Sequence, residues 1–435
     1  MALILPLCAA FVASRLPVRD NSYLWHVRAG THQVDLGRVL TEDPFSFTAL
    51  GRPWRTQSWL LDLLYGWADR RWGLSAVTAF VLVGSAALVA AASLRAYEVL
   101  RAPLLAAVGA VWVMWLNIGY FTPRPVLFSL ALLAIVLVAA EHRALRWTLP
   151  LIFWVWASVH GGFVVGIGYL TLDGLRRRER NRIIDVGAAV AGTFVTAHGW
   201  GTWQVVMQFL RSTPELDLIV EWLTPDLFSL EHFPFALVLL AVVAMAIDGR
   251  FARSDLWVLG PFLLFAFTAN RAVPISALVL APWYLPLVGR LRERTSETSL
   301  TLSVVNATIG VALLGLPWLV SLPSGLDEEL FGVQAVKHLG PGRLFHDDGV
   351  GGYLIYAEWP ERLVYIDDRA ELYGEDFADF VSARAGAPGW EDVFGTFGFE
   401  QALLKLEDPL AEMLGAQGWV EAYRDDRFVL MRQGP

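Results

Sequence analysis

The chain has 435 residues, of which 55% are hydrophobic and 17% charged, and it carries 19 tryptophans with a formal net charge of −8. Water-soluble domains usually hold about a quarter charged residues, so this composition excludes an ordinary soluble globule. A single cysteine, Cys8, excludes a disulfide framework and a cysteine-based metal centre. Arginine greatly outnumbers lysine, which favours the planar fork that matches phosphate and carboxylate.

The start "MALILPLCAAF" lacks the basic region of a signal peptide and is followed by more apolar segments, so it reads as a retained first helix. Apolar segments near 2–18, 74–94, 104–121, 126–140, 147–159, 161–174, 183–197, 235–248, 255–269, 274–289 and 302–321 follow one another along the chain. Full spans need about 20 residues, so the shorter segments are tilted or re-entrant. The fold class is therefore mainly α: a polytopic bundle of about 11 membrane helices over 1–324, with a large first external loop at 15–73 and a small α/β domain over 325–435.

Short arginine-rich loops set the orientation. They run from Arg95 to Arg101, from Arg143 to Arg146, through "RRRERNR" at Arg176, from Arg250 to Arg253, and through "RLRER" at Arg290. All five fall on one side if His160-Gly161-Gly162 is a turn between two short helices, and that side is cytoplasmic by the positive-inside tendency. The chain is then a multi-pass inner (plasma) membrane protein with a cytoplasmic N-terminus and an extracytoplasmic C-terminal domain. The outer side collects the 15–73 loop, "YFTPRP", "HGGF", "HGWGTW", "EWLTPD", "NRAVP" and the tail. Residues 57–69, "QSWLLDLLYGWAD", read as a helix lying in the membrane interface.

The tail from 326 alternates strand and helix patterns. "RLFHD", "RLVYIDD", "EQALLKL", "WVEAYRDD" and "RFVLMRQ" read as strands, and the last two as a hairpin at Asp425-Asp426. "DFADFVSARA" and "DPLAEMLGAQ" read as helices. No nucleotide-binding, zinc-protease or hydrolase fingerprint occurs.

Ionisable residues at the membrane edge are functional candidates. Asp20 follows the first helix, with His26 and Arg28 on a helix after it; Asp43 opens a turn at "DPFSF". Arg124 in "TPRP" and Arg271 in "NRAVP" each occupy a tight outer turn, where two guanidinium forks suit a lipid phosphate. His160, His198 and Glu221 are further outward polar groups. In the tail, Asp347 and Asp348 sit beside Gly349, and Asp368 and Arg369 end "RLVYIDDR".

With loop and tail together, the chain resembles the GT-C superfamily of membrane glycosyltransferases. "DNSYLWHVRAG" at Asp20 is similar to the stretch that opens the first external loop in the oligosaccharyltransferase branch. "HDDGVGGYLIYAEWPERLVYIDDR" resembles the layout around that branch's Trp-Trp-Asp-Tyr-Gly motif, although its tryptophans are absent here. The order Asp, His, Gly, "DPFS", "GRPW" also resembles a set of bacterial glycosyltransferase-like membrane proteins.

The resemblance implies transfer of a sugar from a polyprenyl-phosphate or -diphosphate donor to an acceptor hydroxyl at the outer face. Asp20 and His26 would be the catalytic residues. Arg28, Arg124, His160, His198, Glu221 and Arg271 would bind donor and lipid phosphate, and Asp347, Asp348, Asp368 and Arg369 would meet the acceptor. The partners implied are the polyprenyl-linked sugar, membrane lipid and an acceptor glycan, lipid or protein; nucleic acid is not among them. No motif requires a cofactor, and a divalent metal is the one left open. A lipid flippase or transporter, and a non-catalytic envelope-assembly protein, are the alternatives from other classes. The transporter is disfavoured because the spans are nearly free of Asp, Glu and Lys.

Overall fold

The structure, a computed structural model, describes residues 18–209, 223–229, 232–293 and 326–434. In chain order come α1 (Asn21–Leu36), α2 (Trp59–Trp72), α3 (Val77–Leu100), α4 (Pro103–Asn117), α5 (Pro125–Glu141) and α6 (Leu149–Val159). Then follow α7 (Phe163–Arg177), α8 (Arg182–Thr193), α9 (Trp200–Phe209), α10 (Phe233–Ile247), α11 (Leu256–Ala266) and α12 (Ala272–Glu293). The tail holds α13 (Val333–Val336), β1 (Leu344–His346), α14 (Asp348–Glu358), α15 (Ala370–Tyr373), α16 (Glu375–Arg384), α17 (Trp390–Phe397), β2 (Gln401–Lys405), α18 (Leu410–Ala416), β3 (Val420–Arg424) and β4 (Phe428–Arg432).

The described residues form two compact units, one over 75–206, 223–229 and 232–293, the other from 18–74, 207–209 and 326–434. The first is a helical bundle. Every apolar segment expected between 74–94 and 274–289 is helical; the segments at 2–18 and 302–321 lie outside the described residues. Among the described residues, Ala79–Leu100 and Ala272–Gly289 are long and apolar enough to cross a membrane. These two leave the count of 11 membrane helices unconfirmed; α6, with 11 residues, is about 16 Å long, roughly half a hydrocarbon core, as expected of a tilted or re-entrant segment. The 147–174 stretch does break at His160-Gly161-Gly162. Small residues bring the helices close: a Cβ on Gly192 of α8 would lie 2.3 Å from the Pro150 carbonyl oxygen of α6.

The second unit joins the first loop to the tail. Residues 18–73, expected as part of the membrane domain, share a core with 326–434, because their aromatic residues need the tail to be buried. Trp25, Phe45 and Trp54 pack in one cluster with Leu354, Leu403 and Leu430. The sheet runs β1-β2-β4-β3, with β1 parallel to β2 and the other pairs antiparallel; β3 and β4 form the expected hairpin. "RLVYIDD" does not join the sheet. Val364 instead bridges Ser46, with backbone hydrogen bonds of 3.0 Å from Val364 N–H to the Phe45 carbonyl and from Phe47 N–H to the Val364 carbonyl. The loop supplies the partner of an isolated bridge, and sequence separation hid it.

α1 crosses α2 where Gly30 meets the second helix: a Cβ on Gly30 would sit 1.7 Å from the Asp62 carbonyl oxygen. α14 crosses α1 in the same manner, with a Gly352 Cβ position 2.2 Å from the Asn21 carbonyl oxygen. α2 is inverted relative to a simple amphipathic helix. Its Asp62 is buried, while Leu64, Trp67 and Trp72 are exposed.

Candidate functional site

The first turn of α1 gathers several of the expected residues. Helix starts leave N–H groups without intrahelical acceptors, and aspartate is among the best side chains to receive one. Asp20 does so, accepting the Ser22 N–H at 3.0 Å, and is buried in the process. Asn21 donates to the Asp348 carbonyl at 3.0 Å and accepts the Gly352 N–H at 2.8 Å. Asp368 accepts the Ser22 hydroxyl and the Trp25 indole N–H, the latter at 2.8 Å. Asp20, Asp348 and Asp368 are therefore tied to Asn21, Ser22 and Trp25, all within the first five residues of one helix.

Asp347 caps α14, accepting the Gly349 N–H at 2.9 Å. It also takes Arg384 at 2.8 Å and Lys405 at 3.1 Å, and Arg384 reaches Asp348 at 3.0 Å. Burial, followed by the neighbouring Asp347 charge, raises the Asp348 carboxyl above the usual range. Arg384 thus bridges Asp347 and Asp348, and Lys405 adds a second cation on Asp347.

Arg369, expected on the acceptor side, is interior at 2% exposure. It donates to Asp43 at 2.7 Å, and its Nε donates to Asp367 at 2.8 Å. The guanidinium lies 4.5 Å from the Trp54 ring centroid, with Trp25 and Phe45 at 5.6 and 5.5 Å. Burial alone would raise the Asp367 carboxyl; the Arg369 guanidinium outweighs it and holds the group below the usual carboxylate range. Asp43 also accepts the Ser46 N–H and hydroxyl, so the "DPFSF" turn is both a local turn and an ion pair.

His26 is 4% exposed and donates through Nδ1 to Asp62 at 2.7 Å. Asp62 accepts two more donors, Ser58 Oγ at 2.9 Å and Thr56 Oγ1 at 2.6 Å. Thr56, Ser58 and Asp62 were not singled out in the sequence; the acid interrupting an apolar helix was the visible signal. Arg28 donates to the Ile355 and Tyr356 carbonyls at 3.3 and 2.6 Å, satisfying the last turn of α14. Its side chain lies 5.9 Å from the Tyr356 ring centroid and 5.7 Å from that of Trp359.

The bundle places the remaining candidates on its turns. Arg124 is the N-cap of α5, followed by Pro125, whose missing N–H suits a first helical position. His160 closes the α6–α7 turn by accepting the Gly162 N–H at 2.9 Å. That turn rests on α5, since a Gly162 Cβ would meet Ser129 Oγ at 2.4 Å. Arg271 immediately precedes α12, and His198 lies between α8 and α9. From Arg124 to Glu141, and from Arg271 to Gly289, helical rise gives about 25 Å. Gly289 lies against Leu100 and Glu141 pairs with Arg95, so Arg124 and Arg271 share the opposite end of the bundle from the Arg95–Arg101 segment. Glu221 lies outside the described residues.

Among the described residues, no group of three or more His, Cys, Asp or Glu is placed to hold a metal ion.

No family model matches the chain, and no curated protein does. Solved structures do. ArnT from Cupriavidus metallidurans in the apo state superposes with a TM-score of 0.59 at 14% identity, covering 99% of this chain and 98% of that one. ArnT from the same organism bound to undecaprenyl phosphate gives 0.56 at 13% identity, over 99% and 98%. What is shared at this identity is the fold: over its whole length the chain has the fold of the ArnT structures.

Proposed function

We propose that this protein is a multi-pass membrane glycosyltransferase that moves a sugar from a polyprenyl-phosphate or -diphosphate donor to an acceptor hydroxyl at the outer face of the inner membrane. The observation that carries the reading is the full-length fold match to ArnT, one structure of which is bound to undecaprenyl phosphate.

Attack on the anomeric carbon requires a base for the acceptor hydroxyl and fixed positive charge for the departing lipid phosphate. Asp20 is the proposed base. Arg124 and Arg271 are the proposed phosphate donors, half-buried at helix starts on one end of the bundle, with His160 and His198 as secondary groups. The acceptor-side role falls to Asp347, Asp348 and Asp368. The burial of His26 and Arg369 supports positioning roles for them: His26 holds α1 through Asp62, and Arg369 holds the loop through Asp43.

The test is transfer from a polyprenyl-phosphate sugar by full-length protein in proteoliposomes, with release of lipid phosphate as readout. Asn caps helices as well as Asp, so Asp20→Asn removes the charge and keeps the fold. The expected loss is at least about 100-fold in kcat, the usual weight of general acid–base catalysis. Arg124→Ala is expected to fall similarly. Full transfer by both variants would sink the proposal.

A further inference from the structure

The end of the bundle that carries the arginine-rich loops contains a cavity of about 640 Å³. That volume is within the range of small-molecule sites and far exceeds what one ion needs. It lies about 25 Å along α5 from Arg124, so it is separate from the candidate phosphate residues of the proposed transfer reaction.

Its charges are unequal. Arg95 is paired to Glu98 and Glu141, Arg177 to Glu141, and Arg176 to Asp255. These pairs occupy the acids lining the cavity. Two lining arginines remain. Arg101 makes no ion pair among the described residues, and Arg250 pairs only with Asp248, at an exposed position where such a pair is worth little. Arg101 is also held by the backbone: it ends α3 in the left-handed region at φ 51°, its N–H bound to the Tyr97 carbonyl at 2.8 Å. The other part of the wall is apolar, formed by Val99, Phe251, Pro282 and Trp283, with Arg176 lying 5.5 Å from the Trp283 ring centroid. Surplus guanidinium beside an apolar wall is the chemistry of an anionic amphiphile, and a phosphate is the anion whose oxygens a guanidinium fork fits.

We propose that this cavity binds a phosphate-bearing anion, with the phosphate on Arg101 and Arg250 and the neighbouring apolar part of the ligand on Phe251 and Trp283. The phosphate can come from a phospholipid headgroup or from solution, and the test separates the two. Full-length protein in a nonionic detergent is titrated with dihexanoyl-phosphatidylglycerol, with inorganic phosphate, and with phosphate-free dihexanoylglycerol, and bound ligand is counted by native mass spectrometry.

Phosphatidylglycerol binding that weakens about tenfold in Arg101→Gln, and again in the double variant with Arg250→Gln, supports a lipid headgroup; one charge-assisted hydrogen bond has that weight. Inorganic phosphate binding with the same losses supports a soluble phosphate. Equal binding by the double variant, equal binding of dihexanoylglycerol, or no binding of either phosphate probe overturns the proposal. Arg250→Gln alone and Arg101→Lys, whose unliganded unfolding midpoints are expected to match the wild type, keep the comparison independent of folding; Arg101→Lys is expected to recover most of the binding.

Discussion

Arg369 donates to Asp43 at 2.7 Å across a sequence separation of 326, both side chains buried inside the protein. The first loop and the tail are fastened there. Removing one member of a buried pair leaves the other charged and unpaired, which costs about 3–5 kcal/mol. Arg369→Met, which leaves both Asp43 and Asp367 without their cation, is therefore expected to lower the unfolding midpoint sharply, and Asp43→Ala less so, because Arg369 keeps Asp367. Chemical denaturation of the detergent-solubilised protein measures both. A change under about 1 kcal/mol would mean the pair adds nothing beyond its aromatic surroundings.

Gly352→Ala tests the α14–α1 crossing. The new methyl would lie 2.2 Å from a backbone oxygen, which cannot rotate away. Overpacking of this kind costs about 1–3 kcal/mol or more. The Gly352 N–H bond to Asn21 would be lost with it, and proteolysis within 18–74 is expected to accelerate. Gly30→Ala is expected to behave alike.

His346 predicts an acid limit. Its Nδ1 donates to the Asp347 carbonyl at 2.9 Å and its Nε2 accepts the Tyr365 N–H at 3.2 Å, so the folded site holds a neutral ring. Burial lowers its pKa below the ordinary value. The unfolded chain then binds more protons than the folded one between the two values, and stability falls as pH drops through about 6.5. Below about pH 4 the depressed Asp367 carboxyl adds to the loss, because the unfolded state takes up its proton first. Unfolding midpoints between pH 8 and pH 4 are expected to decline with falling pH, and His346→Asn to flatten the upper part of that curve.

His26 can be assigned by separating activity from stability. Through Asp62 it acts as a positioning residue, so His26→Gln is expected to lower the unfolding midpoint while kcat per folded molecule stays within about threefold, against the roughly 100-fold loss of a catalytic group. The pH profile of kcat should keep its shape. A lost limb in that profile would restore His26 to the chemistry.

The helical character of the bundle was readable because apolar runs and proline or glycine turns mark it residue by residue; the turn at His160-Gly162 is an example. Hairpin and helices of the tail were readable for the same local reason. What escaped was long-range. Nothing near Val364 says that its partner is Ser46, and nothing near Arg369 says that Asp43 and Trp54 enclose it. Asp20, Asp348 and Asp368 were each visible as polar residues in an apolar chain, but their meeting at one helix start needs the α14–α1 crossing. Arg28 shows the converse: the resemblance implied a donor or phosphate ligand, and its hydrogen bonds go to carbonyls at a helix end.

The core shared by Trp25, Phe45, Leu354 and Leu430 has a consequence for biosynthesis. Residues 18–74 leave the ribosome some 250 residues ahead of 326–434. At about 5–20 residues per second, that is a wait of roughly 10–50 s. For that interval the loop carries buried-type tryptophans and Asp43 with no partner. A chaperone or the bilayer surface must shelter it until translation supplies the rest of its core.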